Sequence, residues 1–169
     1  MRIFNAPQDR AQSIVSQHNI ENIISVYSPN KTFPLFPGVK SDQILRLCFN
    51  DISRPQNNLK IITMNDIKKI INFVTKKNKG DFLVHCYAGV SRSIAITITI
   101  LFILEKNINI NDLVLELEHK APFASPNKLV LQQAGRALGE EKLFRTIIKN
   151  FHTKKNIFGL KNFVLSSNF

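Results

Sequence analysis

Cysteine is scarce in this chain, two residues in 169, Cys48 and Cys86. Two cysteines close at most one bridge, which excludes a disulfide-stapled scaffold and points to a reducing cytoplasm. The four histidines, His18, His85, His119 and His152, show no metal-ligand spacing, so no metal site is assigned and no cofactor is expected. No apolar h-region stands near Met1, and no secretory signal is read there. The longest near-apolar run, 94–104, is too short for a bilayer and carries two threonines, so it reads as a buried helix. Acidic residues are few, 12 against 23 basic, and the formal net charge is +11. Such an excess draws anionic partners at long range without specifying the anion. There is no internal repeat and no low-complexity block.

What is present is ordinary for a soluble globular domain: 44% hydrophobic and 21% charged residues, in a chain long enough for one real core. Elements alternate in type. Strands are expected at 2–6, 22–28, 44–49 and 82–85. Helices are expected at 10–18 behind Asp9 as cap, at 64–77 behind Thr63, and at about 92–107. Further helices are read at 111–120, from 127 and from 140, with Pro122 and Pro126 breaking the segment between. The alternation predicts an α/β domain: a central, mostly parallel sheet of about four to five strands flanked by helices. The domain is placed at 1–152. Residues 153–169, a basic and aromatic tail, are expected to be partly loose.

The stretch "HCYAGVSRS", 85–93, joins a buried strand to a buried helix. In open α/β sheets, sites form beyond the carboxyl ends of the strands, and this loop lies there. It runs into a helix N-terminus, where unpaired backbone N–H groups and the dipole favour an anion. Gly89 allows a backbone conformation that a Cβ would oppose. Cys86 stands at the base of this cradle, which stabilises a thiolate. Arg92 offers a planar fork for two oxygens of a tetrahedral anion. Substrate oxygens are therefore expected on Tyr87, Ala88, Gly89, Val90, Ser91 and Arg92. A thiolate aimed at the centre of a bound phosphoryl group is what transfer through a cysteinyl-phosphate requires.

His85, Cys86, Gly89, Arg92 and Ser93 resemble the Cys–x5–Arg signature of the protein tyrosine phosphatase superfamily. "AGVSRS", 88–93, is most similar to the dual-specificity branch. The resemblance covers about 44–105 firmly and weakens toward 136. It implies the phosphotyrosine phosphatase-like fold and a metal-free phosphatase of phosphorylated proteins, acting as a monomer. A composition rich in Asn, Lys and Ile adds the expectation of a bacterial member.

A leaving oxygen needs a proton, so an acid should reach the same pocket. Among six Asp and six Glu, position along the sheet discriminates. Asp42 and Asp81 precede their strands; Asp66 and Asp112 sit in first turns of helices, where they suit the dipole. Asp9 and Asp51 remain, each just after a strand. Asp9 is more simply a cap. Asp51, 35 residues before Cys86, stands in a loop free to reach the pocket, and the resemblance points to it as well.

The resemblance also implies roles for three supporting residues. Ser93 would hydrogen-bond the Cys86 sulfur and ease breakdown of the intermediate. His85 would order the loop. Asn127, in "SPN" 125–127, would help to hold it. Cys48 lies near a strand end, and a reversible Cys48–Cys86 disulfide would form if that strand neighboured 82–85; a small buried apolar role is the plainer reading. Lys142, Arg145, Lys149, Lys154, Lys155 and Lys161 form a basic run that reads first as a solvated face, with acidic lipid or nucleic acid as the other candidate.

Three functions compete. The first is a phosphatase for phosphotyrosine, extending to phosphoserine and phosphothreonine. The second is a phosphatase for a phosphoinositide or an RNA 5′ phosphate. The third is a non-catalytic phosphate-binding pseudophosphatase. Tyr87, Ala88, Val90 and Ser91 are all uncharged, which weighs against the lipid. Intact Cys86, Arg92 and Asp51 weigh against the third.

Overall fold

Strands covered on both faces have no polar side, and Asn22–Tyr27 and Phe82–Cys86 are buried at every position. They form the middle of the sheet in the computed structural model, which describes residues 1–77, 79–105, 107–152 and 163–166. In chain order the elements are β1 (Arg2–Pro7), α1 (Gln8–His18), β2 (Asn22–Tyr27), β3 (Ile44–Cys48), α2 (Met64–Lys76), β4 (Phe82–Cys86), α3 (Arg92–Leu104), α4 (Ile110–Lys120), α5 (Lys128–Leu138), α6 (Glu141–His152) and β5 (Phe163–Ser166). The sheet order is β3-β2-β4-β1-β5. The first four strands run parallel and β5 is antiparallel to β1. This is the expected α/β architecture, with five strands.

Parallel neighbours need crossovers, and the helices supply most of them. Helix α1 covers one face, burying Ala11, Ile14 and Val15 against Phe4, Leu83 and Phe36. The other face carries the larger core. At its centre α3 is buried without interruption from Arg92 to Leu101, as a helix apolar on every side must be. It packs on β4 and β1, with α2 and α5 beside it and α6 against α5. Among the described residues no helix is long and apolar enough to cross a membrane.

The cap read at Thr63 forms a full box. Its hydroxyl accepts from the Asp66 N–H at 3.2 Å, and its own N–H donates to Asp66 Oδ2 at 3.0 Å. The cap read at Asp9 does not form. The chain turns helical two residues earlier, behind Pro7, and Asp9 sits in the first turn, where its charge still suits the dipole. Helix α3 ends at Leu104, short of 107. Residues 163–166, assigned by sequence to the tail, form β5 and extend the sheet. Lys154, Lys155 and Lys161 lie outside the described residues.

The strand order also decides the disulfide. β2 lies between β3 and β4, so Cys48 and Cys86 stand two strands apart. Strands are spaced about 4.8 Å, and two spacings exceed the roughly 7 Å Cα reach of a disulfide. Leu47 shares the core face with Cys86, which turns the next residue, Cys48, to the opposite face. Both cysteines are free thiols, and the direct bridge does not form.

Candidate active site

Cys86 ends β4, Ser91 precedes α3 as its N-cap residue, and Arg92 opens the helix, so the loop between is held at both ends by buried elements. Its carbonyls are taken from outside. Tyr87 O accepts from the Gln8 N–H at 3.1 Å, and Val90 O from the Ser125 N–H at 3.0 Å. Ser91 O accepts from the Asn127 and Ala95 N–H groups at 3.2 and 3.1 Å. Gly89 O accepts from Asn5 Nδ2 at 2.7 Å. A planar trans peptide carries its N–H opposite its oxygen. The N–H groups of Ala88, Val90, Ser91 and Arg92 are thereby turned toward the inside of the loop, as an anion cradle requires.

Gly89 is needed for two reasons. Its φ is +71°, and a Cβ there would lie 2.6 Å from Pro7 N and 2.8 Å from Ala6 C. The loop closes directly onto the end of β1, and only a residue without a side chain lets it.

Within this loop Cys86 is buried, and its Sγ lies 3.2 Å from Ser93 Oγ. Arg92 is buried as well. Its Nη1 donates to Phe49 O at 2.9 Å and to Ser28 Oγ at 3.2 Å, which ties the guanidinium to the ends of β3 and β2. Arg92 Nε lies 3.6 Å from Asp51 Oδ2. That is ion-pair range but beyond a hydrogen bond, and Nε is buried without a hydrogen-bond partner. An aimed, unsatisfied guanidinium donor is suited to an incoming oxyanion.

Asp51 is part-exposed, at 39% of its side chain, and lines a cavity of about 510 Å³ with Tyr87, Ala88 and Arg92. Its Oδ1 accepts from Ser91 Oγ at 2.7 Å and Asn127 Nδ2 at 2.8 Å. Oδ2 is the oxygen on the Arg92 side. Asp9, the other candidate, lines a neighbouring cleft behind Tyr87 and Ala88.

Asn127 joins two loops. Its side-chain oxygen caps α5 through the Val130 N–H at 3.1 Å, and Nδ2 bonds Asp51 and Ile52 O. Its backbone N–H bonds Ser91 O. It therefore braces Asp51 as well as the loop that the resemblance assigned to it. His85 points away from Cys86, as strand alternation dictates, and its Nε2 pairs with Ser25 Oγ at 2.5 Å on β2. Burial among Tyr27 and Phe36 lowers its pKa to about 4, so the ring is neutral. Arg145 and Lys149 of the basic run line a separate cleft between α5 and α6, with Arg145 paired to Glu141 at 3.6 Å.

Sequence reasoning missed Asn5, Ser28 and the Ser91 hydroxyl, and also Tyr27, which lines the same cavity. Asn5 was detectable as a polar residue inside a strand that is otherwise apolar after Arg2. Tyr27 and Ser28 lie at the carboxyl edge of β2, the same edge that singled out Asp51.

Comparison with known proteins agrees with this geometry. The family described as dual specificity phosphatase, catalytic domain, matches residues 3–134. DUSP15 superposes with a TM-score of 0.62 at 24% identity, over 88% of this chain and 92% of that one. Human DUSP28 does so at 0.60 and 18%, over 85% and 94%. PTPMT1, crystallised in complex with PI(5)P, gives 0.60 at 16%, over 83% and 92%. Identities this low establish a shared fold alone. No curated protein sequence matches the chain.

Proposed function

Since this chain belongs to the dual specificity phosphatase family, we propose that it hydrolyses phosphomonoesters of proteins, phosphotyrosine and also phosphoserine or phosphothreonine, through a cysteinyl-phosphate. The observation that carries this reading is the meeting of Arg92 and Asp51 at one cavity, Nε to Oδ2 at 3.6 Å, beside Tyr87 and Ala88 of the loop that Cys86 begins. The phosphoryl group docks on the inward N–H groups and on Arg92. The Cys86 thiolate attacks phosphorus in line, the S–P bond forms and the ester P–O bond breaks. Asp51 gives its proton to the leaving oxygen. Asp51, now a base, takes a proton from water as that water attacks phosphorus, and the S–P bond breaks to release phosphate and thiolate. Ser93, hydrogen-bonded to Sγ, stabilises the departing thiolate. Charge spread over the equatorial oxygens meets preorganised donors, the most effective kind of stabilisation.

A second reading, a substrate with a further anionic group such as a phosphoinositide or an RNA 5′ end, is favoured by Lys31, which lines the cavity together with Arg92. PTPMT1, which shares the fold, was crystallised with PI(5)P, and this lends support to the phosphoinositide. One panel separates the readings. The wild type is expected to hydrolyse para-nitrophenyl phosphate and phosphotyrosine peptides, and Cys86→Ser to hydrolyse neither. Faster turnover of inositol phosphates or 5′-phosphorylated RNA than of any phosphopeptide favours the second reading. An inert wild type overturns both.

A further inference from the structure

Tyr27 ends β2 and is 4% exposed. Its ring is fixed, 4.7 Å from the Phe33 ring and 5.8 Å edge-on from His85. Its hydroxyl is buried and has no hydrogen-bond partner. Buried tyrosine hydroxyls almost always find one. A phenylalanine would supply the same ring contacts without burying an orphan oxygen, so packing explains the ring and leaves the hydroxyl unexplained.

The same residue lines the catalytic cavity beside Arg92 and Asp51. Arg92 has fewer donors to give there, because its Nη1 already serves Phe49 O and Ser28 Oγ. A bound phosphoryl group brings three non-bridging oxygens, and a phenol at the cavity wall adds a donor to the inward N–H groups and the remaining guanidinium N–H groups. We infer that Tyr27 is a substrate-contacting residue, its hydroxyl donating a hydrogen bond to a non-bridging oxygen of the phosphoryl group in the 86–92 loop. The inference rests on the phosphatase reading above. Burial first, and the charge of Cys86 second, raise the Tyr27 pKa to about 12 against the opposing effect of Arg92. The phenol therefore stays protonated, a donor and never a repelling anion, across the range in which Cys86 and Asp51 work.

The test is Tyr27→Phe, which keeps the ring. We expect kcat/KM for para-nitrophenyl phosphate and the affinity for orthovanadate each to fall about tenfold, the usual order for one hydrogen bond to a charged acceptor, with no fall in melting temperature. A second readout uses the unaltered protein. The chain holds only two tyrosines, Tyr27 and Tyr87, so a 13Cζ-tyrosine spectrum has two resonances, assigned with the single variants. Orthovanadate should shift the Tyr27 resonance. A wild type that hydrolyses the ester and binds vanadate, with an unmoved Tyr27 resonance and an unimpaired Tyr27→Phe, overturns this inference alone. A wild type that does neither overturns the phosphatase reading with it.

Discussion

Asn127 and Asp51 share a hydrogen bond, Nδ2 to Oδ1, at 2.8 Å across 76 residues of sequence. The carboxylate proposed to give and take the proton is thus fastened to the start of α5. The same asparagine bonds the carbonyl of Ser91 through its backbone, so the Asp51 loop and the 86–92 loop are tied to one residue. Proton transfer needs a fixed distance between acid and leaving oxygen, and this brace sets it.

Asn127 does two jobs that one substitution can separate. Asn127→Asp keeps the oxygen that caps α5 but replaces the donor to Asp51 with a second acceptor of like charge. The expected result is a melting temperature below wild type, because Ile52 O loses its donor as well, with kcat reduced at least tenfold. The loss should be larger for phenyl phosphate than for para-nitrophenyl phosphate, because the poorer leaving group depends more on the acid. Asp51→Asn should show the same leaving-group pattern more strongly, with kcat down on the order of a hundredfold or more. Equal losses on both esters would remove Asp51 from the role of acid.

Gly89→Ala places a Cβ 2.6 Å from Pro7 N at a φ of +71°. Neither backbone can yield cheaply, since Pro7 ends β1 opposite Cys86. The variant should lose about 2 kcal/mol or more of stability and all detectable vanadate binding. Chemical unfolding and calorimetric titration would measure the two effects. A variant with unchanged binding would mean that the loop does not close on β1 in solution.

His85 gives the fold an acid limit. Burial holds its folded pKa near 4, against 6.5 for the free side chain. Between those values the unfolded chain takes up a proton that the folded chain refuses, so stability is full above pH 6.5 and is lost as pH falls through this window. The loss approaches roughly 3 kcal/mol at pH 4. Subtracting the urea stability of His85→Gln from that of the wild type at each pH isolates it from the carboxylates. The difference should decline steadily between pH 6.5 and 4. A flat difference would show that the imidazole is solvated.

Legibility in the sequence followed contact distance along the chain. Cys86, Gly89, Arg92 and Ser93 occupy one local segment, and strand and helix periods on either side give that segment its place. The Thr63–Asp66 box is likewise contained in four residues. Asn5 and Gly89 meet across 84 residues, and a single polar residue in a strand does not say which partner it will find. Cys48 shows the limit in the other direction. Its strand was read correctly, but β2 intervenes between β3 and β4, and no local signal sets that order.

By itself, the sequence determined that a glycine-bearing loop stands at a strand-to-helix junction with a sulfur at one end and an arginine at the other, because backbone sterics, capping and side-chain chemistry all act within a few residues. Only the tertiary structure decided what surrounds that sulfur. The tie from Arg92 to β2 and β3, the brace from Asn127 to Asp51, the seat of Gly89 on β1 and the buried hydroxyl of Tyr27 all depend on which strands neighbour one another. That choice is made by burying two faces of one sheet at once, a property of the whole core that no single segment encodes.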